Sequence, residues 1–93
     1  MKPLRILAYG EVAVDVLEAA GHAVRRADTL TKAVAAAEET SPDVLVHADR
    51  DASGDSCRLA RMLQWVRGTP AVEIPSGMTS AHLLHAVRAA ATR

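Results

Sequence analysis

A three-layer α/β domain built on a doubly wound, four-stranded parallel sheet is what this 93-residue sequence predicts. Two observations predict it. Short apolar runs alternate four times with segments of helical periodicity, which gives a (βα)₄ order. Each strand-to-strand connection also holds a helix, so each is long enough to join parallel strands. Right-handed crossovers with one reversal of direction then give the strand order 2-1-3-4. The first and last helices are expected on one face of the sheet and the middle two on the other.

Leu4 to Tyr9 (LRILAY) is a short apolar run closed by Gly10, a first strand. From Glu11 to Ala20, apolar Val12, Ala13, Val16, Leu17 and Ala20 recur at helical spacing, and Gly21 supplies the stop. His22 to Ala27 is a weaker second strand. Its Arg25 and Arg26 suit an edge, where charge discourages further pairing. Asp28 or Thr29 caps a second helix with Leu30, Ala33, Val34 and Ala37 on one face, ended by Ser41-Pro42. Asp43 to Ala48 (DVLVHA) is the most continuous apolar run and predicts a strand buried on both faces. Asp55 or Ser56 caps a third helix with Leu59, Ala60, Leu63 and Val66 inward, stopped at Gly68. Ala71 to Ile74 is a fourth short strand. Thr79 or Ser80 caps a last helix that turns Leu83, Leu84, Val87 and Ala91 inward.

The chain reads as one domain over residues 1–93, long enough to bury roughly 60–65% of its unfolded surface. Lys plus Arg equals Asp plus Glu at 11 each, so no overall field recruits nucleic acid or anionic lipid. With one Tyr, one Trp and no Phe, the sequence lacks the stacking platforms of an RNA or single-strand binder. The same scarcity leaves the core to Val, Leu, Ile and Ala. A single cysteine forms no internal disulfide and fits a reducing compartment. No apolar stretch approaches the ~18 residues of a membrane span, and the N-terminus turns acidic too early for a signal peptide. A cytoplasmic domain is expected, and abundant Arg and Ala suggest a bacterial source.

The segment from Arg5 to Asp49 resembles the first half of a bacterial response-regulator receiver domain, a family with the flavodoxin-like fold. The strand, the LEAAGH turn, the ADTLTKAVAA helix and the SPDVLV start of the third strand carry the likeness. GTPAVEIPSG is similar to the receiver's fourth strand and MTSAHLLHAVRAAATR to its final helix. The likeness spans nearly the whole chain, with one βα unit fewer than a receiver. It implies an acidic pair after strand 1, a phosphoacceptor Asp ending strand 3, a hydroxyl ending strand 4 and a late Lys. Against that set, Tyr9-Gly10-Glu11 offers one acid, and the acceptor position falls on Ala48, with Asp49 one residue late. The hydroxyl position falls on Pro75, with Ser76 one late, and no Lys follows Lys32. The likeness therefore implies a shortened pseudo-receiver that lacks the phosphorylation residues.

Two regions are candidates for function. In an open α/β sheet, ligands bind beyond the carboxyl ends of the strands where strand order reverses. Here that crevice would hold Glu11, Asp49, Asp51 and Ser76. Glu11 and Asp49 are acids that could hold Mg²⁺ for phosphoryl transfer to Asp49, and the same crevice could take a small ligand. A solvated polar loop is the plainer expectation. The second region is the third helix, where Trp65 and Met62 lie off the inward stripe beside Arg58 and Arg61. Trp, Met and Arg are the side chains that carry energy at interfaces.

Other motifs carry less. Cys57 sits in the first turn of a helix but not after strand 1, where a B-type sugar phosphocarrier keeps its reactive cysteine. His82 and His85 share a spacing that suits a metal yet lack a third ligand. No nucleophile elbow, phosphate loop or dinucleotide fingerprint is present. The arginines of the third helix, and Arg25, Arg26 and Lys32 around the second strand, are solvated faces by default. The expected function is non-catalytic binding to another protein or to a second copy, without cofactor, metal, nucleic acid or membrane. The interface is expected on the third and last helices around Trp65.

Overall fold

The computed structural model describes residues 3–10, 12–48, 55–75 and 77–92, with the side chains of Asp55 and Ser56 left aside. In chain order, β1 spans Arg5–Tyr9, α1 Val14–Ala19, β2 Ala23–Ala27 and α2 Leu30–Thr40. There follow β3 Val44–Ala48, α3 Asp55–Arg67, β4 Ala71–Ile74 and α4 Ser80–Ala91. All four strands join one parallel sheet in the order β2-β1-β3-β4, the predicted flavodoxin-like arrangement. Charged β2 and short β4 are its two edges.

Side-chain alternation sorts the core into two layers. Leu7 and Tyr9 of β1 and Leu45 of β3 point to the side where α2 and α3 pack, and meet Ala33, Ala36, Ala37, Leu59 and Leu63. Ile6, Val44 and Val46 point to the other side and meet Leu17 of α1 with Leu83, Val87 and Ala90 of α4. Val44, Leu45 and Val46 are wholly buried, as a central parallel strand requires. The largest fully buried side chains are all Ile, Leu or Val, and α2 contributes three buried alanines. Close packing of small side chains replaces the aromatic bulk that the composition lacks.

Local chemistry fixes the element ends. Gly21 adopts φ +94, a conformation costly for any residue with a Cβ. Its N–H donates to the Glu18 carbonyl at 2.9 Å, while the His22 N–H donates to that of Leu17 at 3.2 Å. These are the two bonds of a Schellman stop. Ser41, at φ 46, ends α2 just before buried Pro42. Asp43 ties β3 to β1. Its Oδ2 accepts from the Arg5 N–H at 2.9 Å, and its own N–H donates to the Arg5 carbonyl at 2.8 Å.

Of the three caps the sequence left ambiguous, geometry resolves two. Thr29 Oγ1 accepts from the Lys32 N–H and Thr79 Oγ1 from the His82 N–H, each at 3.2 Å. Thr29→Ala or Thr79→Ala should each cost about 1 kcal/mol, because one first-turn N–H loses its acceptor. Thermal melts check this, and unchanged melting for both variants would contradict the capping roles.

Three expectations need correction. The first helix starts at Val14 rather than Glu11, with Ala13 at its N-cap position and no side-chain cap to hold it further back. Val14 is buried there, while Ala13 and Ala20 are exposed. Next, α3 already includes Asp55 and Ser56, so its cap position falls ahead of both, outside the described residues. Finally, Val66 does not face inward. It is 70% exposed although it continues the stripe of Leu59 and Leu63, because the packed layer does not extend to the last turn of α3.

Candidate interaction surface

Glu11, Asp49, Asp51 and Ser76, the residues of the predicted crevice, lie outside the described residues. The strand ends beneath them are defined. Tyr9 pairs with His47 where β1 and β3 run side by side, and its ring is built into the core with α2 and α3. Ala48, at the position the receiver likeness gives to the phosphoacceptor, is the last residue of β3 and carries only a methyl. His47 is buried, with Nδ1 3.1 Å from the Ala48 carbonyl.

Beyond the ends of β1 and β2 lies a shallow cavity of about 310 Å³, lined by Gly10, Arg26, Ala27, Asp28 and Lys32. Lys32 Nζ sits 3.2 Å from Asp28 Oδ1, and both side chains are largely exposed. Hydrogen bonding and the charge of Lys32 hold the Asp28 carboxyl below its ordinary value of 3.8. Because the folded value is the lower one, the pair's small contribution exists above the unfolded value and fades as pH falls through the folded one.

His22 is buried at the Schellman turn just ahead of β2. Its Nδ1 accepts from the Leu4 N–H at 3.1 Å, so the neutral ring carries its proton on Nε2. That Nε2 is buried and has no partner among the described residues. The ring ties the start of β1 to the end of α1, a structural use of a residue that the sequence placed inside the second strand.

The most unusual surface is on α3. Leu59 and Leu63 take the inward positions, and Trp65, about 200° round the helix from Leu63, is directed away from the sheet. Trp65 is 91% exposed. Met62, Trp65 and Val66 are neighbours at i, i+3 and i+4. Met62 is half-buried against the core, and its neighbours continue that apolar surface outward. With Arg61 and Gln64 they line an open, mostly apolar depression of about 640 Å³.

This surface is also cationic. Residues 57–67 contain Arg58, Arg61 and Arg67 with no Asp or Glu, and all three arginines are exposed. Elsewhere, Arg25 pairs with Glu39 at 2.9 Å and Lys32 with Asp28. Arg61 and Arg67 form no ion pair among the described residues. The structure thus brings Arg58, Arg61, Met62 and Trp65 together on one helix, as the sequence suggests, and adds Val66 and Gln64. It separates that helix from α4, which packs with α1 on the opposite face, so a surface using both must pass over β4.

His82 and His85 are exposed on α4, and Cys57 is an exposed thiol on α3. Among the described residues, no group of three His, Cys, Asp or Glu is arranged to hold a metal. No described helix is long and apolar enough to cross a membrane. No protein-family model matches the chain, and no curated protein matches it in sequence.

Proposed function

We propose that this domain is a non-catalytic, receiver-like regulatory module that works by binding another protein, or a second copy of itself, through the outer face of α3. The observation that supports this is Trp65, 91% exposed next to Val66 at 70%. A Trp side chain offers on the order of 150–250 Å² of contact area with few rotatable bonds. Left in water it contributes little to folding, whereas covered by a partner it becomes a strong anchor. The methyl side chain of Ala48 at the end of β3 fits a module without phosphoryl chemistry. The single cysteine fits a cytoplasmic, reducing setting, and the Arg- and Ala-rich composition fits a bacterial source.

Two measurements on the wild-type chain test the proposal. Light scattering, alone and with proteins encoded beside it titrated in, should show saturable association. Intact mass after incubation with a small phosphodonor and Mg²⁺ should stay unchanged. A single phosphoryl adduct, lost in Asp49→Ala, would instead establish the phosphoacceptor alternative with Asp49, Glu11 and Mg²⁺.

A further inference from the structure

We infer that the partner of α3 is an acidic, amphipathic segment of another protein, with apolar side chains seated on Trp65 and Val66 and a carboxylate meeting Arg61. This rests on α3 being the binding face and goes further by fixing the chemistry of what it binds.

Charge complementarity carries the inference. Over residues 57–67 the helix holds three exposed arginines and no acid, although the whole chain is neutral, with 11 cations and 11 anions. Near β2, Arg25 is compensated by Glu39 and Lys32 by Asp28. Arg61 is not so compensated among the described residues, and it lines the apolar depression with Met62, Trp65 and Val66. A guanidinium forms paired, charge-assisted hydrogen bonds with a carboxylate, and these strengthen when an adjacent apolar contact excludes water.

A second copy fits less well. Two-fold pairing sets a surface against itself, which would bring the α3 arginines of both copies together. Like charges face to face oppose association. The helix is also short, 13 residues or roughly 20 Å, which suits a peptide-like segment rather than a broad obligate interface.

The test uses two synthetic, Trp-free helical peptides of equal length with Leu at i, i+3, i+4 and i+7. One carries Glu and the other Lys at the flanking positions. Binding to the full chain is followed through the emission of Trp65, the single tryptophan. The Glu peptide should bind at least about tenfold more tightly than the Lys peptide, and the difference should shrink as salt screens the charges. Arg61→Glu should abolish or reverse the preference. Arg61→Gln, a milder change on the exposed side, should reduce it while circular dichroism stays unchanged. Arg25→Glu, at the far sheet edge, should leave it intact.

Equal binding of both peptides, preference for the Lys peptide, or failure of both overturns the inference. Tighter binding to anionic lipid vesicles or to duplex DNA through the same arginines also overturns it. If the chain alone dimerises and Trp65→Ala makes it monomeric, the acidic partner is rejected while α3 stands as the binding face. If Trp65→Ala alters no association of any kind, both fall.

Discussion

Replacing Leu45 with alanine should destabilise the domain by about 3 kcal/mol, within the range seen when a leucine is removed from a packed core. Leu45 is completely buried in β3, beside Leu7 on β1 and Ala71 on β4. It belongs to the layer that Leu59 and Leu63 of α3 close from above. Relaxation around the vacated space is limited, because the fully buried α2 residues of that layer are Ala33, Ala36 and Ala37, with Leu30 and Val34 only partly buried at its margin. The alanine side chains are too short to reach into a cavity, and the only aromatic in the layer is Tyr9, at the strand end. Small domains have stabilities of about 5–15 kcal/mol, with short chains at the low end, so this change removes a large fraction of the total. Urea denaturation monitored by circular dichroism reads it directly. A loss below about 1 kcal/mol would mean that α3 is not packed on β3 as described.

Trp65→Ala should do the reverse: stability within about 0.5 kcal/mol of wild type, and association weakened by about 2 kcal/mol or more. The first half follows from exposure. A side chain that is 91% accessible has almost no buried area to lose on folding, and alanine favours the helix slightly more than tryptophan does. The second half follows from geometry. Trp65 stands between Arg61 and Val66 on the rim of the depression on α3, so a partner that covers Val66 must also cover the indole. The contrast between the two variants is informative. Leu45 reports the fold and Trp65 the surface, and a Trp65→Ala that unfolded the protein would place the indole in the core.

Much of this was legible because the sheet is parallel and its helices are short. A parallel sheet needs a helix between strands, so alternating apolar runs and helical periodicity give the topology, and the continuous run VLV in β3 marks the centre. Arg25 and Arg26 mark an edge by their charge. Element ends were less legible, since Asp28 and Thr29 are equally good caps on paper and only geometry selects Thr29. Val66 was misread for a similar reason. Periodicity assigns a residue to a helical face, but whether that face is covered depends on how far the packed layer extends, and in the last turn of α3 it does not reach. The role of Asp43 was not legible, because no local pattern shows that its carboxylate accepts the Arg5 N–H 38 residues away. Spacing placed Trp65 off the inward stripe, two positions beyond Leu63, but left open whether the indole closes the end of the core, and its 91% exposure decides that.

The central claim, that the Trp65 face of α3 is a binding surface, is tested most directly by the accessibility of that indole. Trp65 is the single tryptophan, so its emission and its quenching by acrylamide report on this site and no other. In the isolated chain the emission should be red and freely quenched, as for indole in water. On association it should shift to the blue and become protected, in proportion to the complex formed. A blue, protected emission in the monomer, or a complex in which Trp65 stays as accessible as before, would contradict the claim.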